Sequence, residues 1–172
     1  MGPSPKSSQH SQVEHYHSFV THPTGVVSLI ATDQGLEQIR FEASVPDGSR
    51  PGEDHPILRE TARQLNAYFA HELRDFDLPL VLLGTPFQVR VWRALQEIPY
   101  GETRSYAQQA RAVGAPDAVR AVGAANGLNP IPIVVPCHRV IGSNGKLTGF
   151  GGGLPLKRWL LDLESNPRLP LL

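Results

Sequence analysis

Apolar positions change their spacing twice along this chain, and the changes mark its elements. In GVVSLIATDQGLEQIRFEA, residues 25–43, two β-rich runs flank Asp33-Gln34-Gly35, which predicts a hairpin. VPDGSRPGEDHP, 45–56, is rich in Pro, Gly and Asp and reads as a loop. Leu58, Ala62, Leu65 and Phe69 then fall on one face of a helix over 57–73. FDLPLVLLG, 76–84, predicts a short apolar strand closed by Gly84. Before all of these, residues 1–17 lack periodicity and read as a mobile tail.

From residue 85 the pattern turns helical. Thr85-Pro86-Phe87-Gln88 has the N-cap Thr, N1 Pro and N3 Gln of a capping box. The helix it opens buries Phe87, Val91, Ala94 and Leu95 and stops before Pro99-Tyr100-Gly101. Ser105-Tyr106-Ala107-Gln108 repeats the box and starts a short helix to Val113. Gly114 makes a turn, and Pro116 opens a second helix through DAVRAVGAAN. Two short helices joined by a Gly-containing turn form a helix-turn-helix. Its second helix is smooth, with Ala118, Ala121, Gly123, Ala124 and Ala125 and one long cation, Arg120. Such a surface suits close backbone approach and a single inserted wedge better than base-edge readout. The same small residues would also serve packing between helices.

Composition adds a location and a partner class. The 172 residues are 40% hydrophobic and 19% charged, ordinary for a globular protein. No apolar run approaches the ~18 residues that span a bilayer. MGPSPKSSQHSQ lacks the apolar core of a secretory signal, and the single cysteine suits a reducing compartment, so cytoplasm is expected. The zero net charge conceals an asymmetry. Residues 1–83 hold six Lys+Arg against eleven Asp+Glu, and 84–172 hold ten against five. A basic second half points to a polyanion. His10, His15, His17 and His22 have no cysteine or close carboxylate pair to complete a metal site, so no metal is expected.

The lone cysteine carries the chemistry. It lies in PIPIVVPCHRVIG, 130–142, where Pro130, Pro132 and Pro136 predict an extended buried segment ending at Cys137. A free cysteine is more often inert core than nucleophile. Here an imidazole follows at once, and the Gly-rich loop GKLTGFGGG, 145–153, would let backbone amides approach a ligand. Adjacent side chains of an extended segment point apart, so a water is expected between His138 and the thiol. Asp162 or Glu164 of the last helix would fix the imidazole tautomer.

PCHRV preceded by NPIPIVV, with IPYGETRSY upstream and GGLPLKRWLLDLE downstream, closely resembles the O6-alkylguanine-DNA alkyltransferases, over residues 85–164. The first half is only loosely similar. The resemblance implies an α+β protein: an RNase H-like α/β domain over 18–84, then a mostly helical domain with a (winged) helix-turn-helix over 85–172. It implies that Cys137 is the alkyl acceptor, His138 the base acting through water, and Glu164 rather than Asp162 its orienting group. Arg120 would enter the duplex as the base leaves, with Ala121 and Ala124 against the DNA backbone. Tyr106 would assist base rotation and hydrogen-bond the flipped guanine. Asn129 would tie the helix-turn-helix to the active-site turn, and Val140, Phe150 and Gly151 would line the pocket. Phe150 stands where many relatives have Tyr, and Gly151 where some have Ser, which widens the pocket. The zinc site of some relatives needs N-terminal cysteines that this chain lacks, and no cofactor is called for. The implied partner is double-stranded DNA containing O6-alkylguanine (O4-alkylthymine is a further candidate), met by a monomer away from membranes. Thioethers are poor leaving groups, so a single turnover is expected. A non-catalytic lesion sensor and a Cys-His hydrolase are the competing readings.

Overall fold

The computed structural model describes residues 12–22 and 24–166. Four strands make the first sheet: β1 (Tyr16–His22), β2 (Gly25–Thr32), β3 (Gly35–Arg40) and β4 (Arg50–Pro51), in the order β3-β2-β1-β4. β2 pairs antiparallel with both β1 and β3, and β4 adds parallel to β1. The expected hairpin is therefore β2–β3, turning at Asp33-Gln34. The tail expected over 1–17 does not include Tyr16 and His17, which pair with Ala31 and Ile30 of β2. Residues 1–11, including His10, lie outside the described part.

Helix α1 (Pro56–Phe69) covers the sheet with Leu58, Leu65 and Tyr68, all fully buried. It ends four residues before the expected Leu73, and His71 takes a positive φ of 61° just after it. The strand expected over 76–84 does not form. Leu36 donates to Pro79 O at 2.8 Å and accepts from Val81 N at 2.9 Å, giving one isolated bridge beside β3. Pro79 has no N–H to continue a ladder. This close approach needs Gly35, where a Cβ would stand 2.7 Å from Pro79 O.

The second half is helical. Both predicted capping boxes are present, Thr85 with Gln88 opening α2 (Pro86–Leu95) and Ser105 with Gln108 opening α3 (Tyr106–Ala112). α4 (Val119–Gly127) begins three residues beyond Pro116, since Ala118 N bonds Ala115 O in a turn that precedes it. α3 and α4 form the helix-turn-helix, and α2 backs them. The buried Trp92 indole of α2 donates to Ala125 O of α4 at 2.8 Å, and Gln109 of α3 reaches Val91 O at 3.2 Å. β5 (Arg104–Ser105) and β6 (Val140–Ile141) pair in parallel, which joins the start of α3 to the segment just after Cys137. α5 (Leu154–Ser165) closes the domain. Among the described residues no helix is long and apolar enough to cross a membrane.

Candidate active site

The segment leading to Cys137 is buried as expected but is folded rather than extended. Pro132 bridges Val135, Val135 N donates to Ile131 O at 2.9 Å, and Ile133 sits at φ 73°. A β-branched residue in that region costs about 1–3 kcal/mol and persists only where its surroundings hold it. Asn129 does the holding: its Nδ2 donates to Val135 O at 2.7 Å and its Oδ1 accepts from Ile131 N at 3.0 Å. Ile131, Ile133 and Val135 are buried at 1% exposure or less, so apolar burial locks the turn from inside.

Cys137 then opens a 3-10 turn, Cys137–Arg139, in place of the predicted strand end. Three residues per turn set adjacent side chains roughly 120° apart, in place of the alternation of a strand. Burial pushes the Cys137 thiol up to about 11. A hydrogen bond from Asn129, the charge of Lys157 and the backbone amides of Cys137 and His138 act in the opposite direction.

His138 is completely buried, with Nε2 2.8 Å from Glu164 Oε1. Burial lowers its pKa, and the Glu164 hydrogen bond and charge only partly restore it, so the ring is neutral at neutral pH. With Nε2–H directed at the carboxylate, Nδ1 carries the lone pair. That Nδ1 is buried without a hydrogen-bond partner among the described residues. Asp162 is exposed on α5, whereas Glu164 is buried and meets the imidazole.

Glu164 gathers more than the sequence indicated. Arg139 donates from Nη2 to Oε1 at 2.8 Å and from Nε to Oε2 at 2.9 Å. Its Nη1 bonds Ile98 O at 2.7 Å. Tyr68, from the N-terminal domain, donates its hydroxyl to Oε1 at 2.7 Å. Burial raises the Glu164 pKa, but bonds from His138 and Arg139 and the charge of Arg139 outweigh it and hold the group at about 2. Lys157 has no sequence signal either. It is fully buried, and its Nζ donates to Val140 O at 2.7 Å and Thr148 O at 2.8 Å, pinning β6 to the Gly-rich loop. Asn126 joins them, its Nδ2 3.4 Å from Cys137 O. A buried Lys and a Tyr some seventy residues upstream give no local pattern; only the fold brings them here.

A cavity of about 340 Å³ stands beside Cys137. Asn126, Asn129, Phe150 and Gly151 line it, together with the N-terminal residues Arg40, Phe41 and Glu42. Gly151 has nothing within 4 Å of a built Cβ, so that side is open. Tyr106 and Val140 lie outside the lining. Val140 is buried in β6, and the Tyr106 hydroxyl meets Thr148 Oγ1 at 3.2 Å and Thr148 O at 3.3 Å. Arg120, Ala121 and Ala124 are exposed together on α4. A Cβ at Gly123 would stand 3.7 Å from the Tyr106 ring, in ordinary contact, so the packing of α4 on α3 does not require glycine there. Among the described residues no three His, Cys, Asp or Glu side chains group as metal ligands. His15 instead meets Glu37 at 3.0 Å, and His22 packs on Phe69 and Trp159.

Two family models cover most of the chain. The 6-O-methylguanine DNA methyltransferase ribonuclease-like domain matches residues 15–82, and the DNA binding domain of the same family matches 86–166. The methylated-DNA–protein-cysteine methyltransferase of Methanosarcina acetivorans is 49% identical over 156 residues, 88% of this chain and 99% of the relative. That of Mycolicibacterium paratuberculosis is 55% identical over 149 residues, 86% and 90% of the two chains. The crystal structure of Mycobacterium tuberculosis OGT in complex with DNA superposes with a TM-score of 0.80 at 51% identity, over 89% of this chain and 93% of that one. The fold, the buried thiol with its His–Glu pair and these matches agree: the chain belongs to the 6-O-methylguanine-DNA methyltransferase family, the methylated-DNA–protein-cysteine methyltransferases.

Proposed function

We propose that Cys137 removes the alkyl group from O6-alkylguanine in double-stranded DNA and keeps it, one transfer per chain. The observation that carries this is the buried Cys137 opening onto a cavity directly before the buried His138–Glu164 pair. The Cys137 sulfur attacks the alkyl carbon in line. The S–C bond forms as the C–O6 bond breaks, and that electron pair stays on the guanine. A thiol held near pH 11 is not ionised at neutral pH, so its proton leaves during the attack. His138 Nδ1 takes it through one water, Glu164 stabilises the imidazolium, and the proton ends on the guanine anion. Hydrogen bonds from the Tyr106 hydroxyl and from loop amides near Gly151 stabilise that anion while it forms. Tyr106 must first release Thr148, which couples base entry to the 145–153 loop.

The lesion reaches the cavity by leaving the stack, at a cost of a few kcal/mol. The smooth exposed face of α4 lies along the minor groove with Ala121 and Ala124 near the backbone, and Arg120 fills the space the base vacates. The N-terminal unit runs over 18–84 and the DNA-binding and transfer unit over 85–172. The chain acts as a monomer in the cytoplasm, where its one cysteine stays reduced.

Duplex DNA carrying a labelled O6-methylguanine separates this reading from its competitors. One equivalent of label on Cys137 supports it. Binding without transfer indicates a lesion sensor, and repeated release of product indicates a hydrolase. Label accepted by Cys137→Ala overturns the mechanism.

A further inference from the structure

Phe41 follows β3 in the N-terminal domain, and no motif in the sequence marks it. It lines the cavity of about 340 Å³ beside Cys137. It also lines a second cavity of about 330 Å³, walled by His22, Val26, Gly152, Leu156 and Trp159. Its ring packs on Phe150 of the Gly-rich loop, with centroids 5.5 Å apart. It also touches Gly152 so closely that a Cβ there would come within 2.8 Å of Phe41 Cδ2. The backbone holds it from both sides. Ile39 N donates to Pro130 O at 2.9 Å, and Ser28 Oγ donates to Glu42 O. The ring is thus a wall between the space at the thiol and a second space lined mostly by aromatic and aliphatic side chains, with Thr24 and the His22 ring as its polar members, bonded to each other. His22 adds no charge there, because burial lowers its pKa and keeps the imidazole neutral at neutral pH.

We propose that Phe41 sets the largest alkyl group the thiol can accept, by closing the cavity at Cys137 off from the uncharged cavity behind it. This rests on the reading that the alkylated base enters beside Cys137. A methyl group needs only the first cavity. A longer apolar chain lying past the sulfur runs into the Phe41 ring, and shortening that ring gives the chain the second cavity to enter. One methylene in an apolar pocket changes discrimination by roughly 10–200-fold, so the effect is within reach of a rate measurement.

The test compares single-turnover transfer from duplex DNA bearing O6-methylguanine or O6-butylguanine to the full chain and to Phe41→Ala, Phe41→Leu and Phe41→Trp. The butyl-to-methyl rate ratio should rise about tenfold in Phe41→Ala, rise less in Phe41→Leu and fall in Phe41→Trp. A purely structural role would slow both substrates alike and leave the ratio unmoved. If Phe41→Ala does not fold, the Leu and Trp variants still give the ratio in opposite directions. A ratio constant within twofold across the folded variants, with methyl transfer intact, overturns the proposal alone. Absence of methyl transfer by the unmodified chain overturns the reading of the cavity, and the proposal with it.

Discussion

Replacing Tyr68 with Phe deletes one hydroxyl from the carboxylate that orients His138 and changes little else. That hydroxyl comes from α1, 96 residues before Glu164, and donates to Oε1 at 2.7 Å. It stays protonated, because burial and the adjacent Glu164 charge push its pKa well above the usual tyrosine value. A hydrogen bond to a charged partner contributes about 1.5–3 kcal/mol. The ring would keep its contacts with Phe69, Phe76 and Tyr100, and Glu164 would keep Arg139 and His138 as donors. The loss therefore belongs at the low end, about 1.5 kcal/mol, which lowers Tm by roughly 3–6 °C in a chain of this size. The chemical effect has a definite sign. With one donor fewer, Glu164 accepts more strongly from His138 Nε2–H and favours the imidazolium. An imidazolium cannot take the thiol proton, so the acid limb of the transfer rate moves to higher pH. Thermal unfolding and single-turnover transfer from about pH 5 to about pH 9 read both effects. An unchanged Tm with an unchanged profile, or an acid limb moved to lower pH, refutes the reasoning.

Other outcomes follow from the same site. His138 and Glu164 both have lowered pKa values in the folded chain, so both make stability fall with falling pH. The His138 contribution is lost as pH drops below its unfolded value of 6.5, and that of Glu164 from 4.5 down to about 2. Urea midpoints across this range should show two stages, and Glu164→Gln should shrink the lower one, leaving only the smaller part of the exposed Glu60, which Arg63 also holds low. The same substitution should slow Cys137 alkylation near neutral pH more than it weakens DNA affinity; an unchanged rate would mean that Glu164 only packs. Arg120→Ala should reduce repair in duplex DNA far more than reaction with the free alkylated base, and equal losses would contradict a wedge. Lys157→Met should slow transfer at least about tenfold, since it removes a cation near the thiol and the donor that ties Val140 O to Thr148 O. A normal rate would show that the loop needs no such clamp.

What the sequence made legible is what local patterns encode. The two capping boxes mark the starts of α2 and α3 because their bonds close within four residues. The β2–β3 hairpin and the amphipathic α1 follow from spacing alone. The predicted strand over 76–84 failed because apolar composition does not supply a pairing partner, and Pro79 limits the contact to one bridge. Around the thiol, the prolines indicate burial and exclude helix, but they do not reveal the positive φ at Ile133 or the 3-10 turn at Cys137. The first depends on Asn129 bonding both ends of the 131–135 turn. His138 and Glu164 were identifiable through PCHRV and the last helix. Tyr68, Phe41 and Lys157 were not, because each reaches the site by tertiary packing from a segment with no signature of its own.

If one thiol is the reagent and is consumed, the mass of the protein must record it. Incubating the chain with a twofold excess of duplex containing O6-methylguanine, then weighing the intact protein and its peptides, tests this directly. Every chain should gain the mass of one methylene, carried by the peptide with Cys137, while the remaining lesion persists. Continued loss of O6-methylguanine with no gain in protein mass, or a gain located on any other residue, would contradict it.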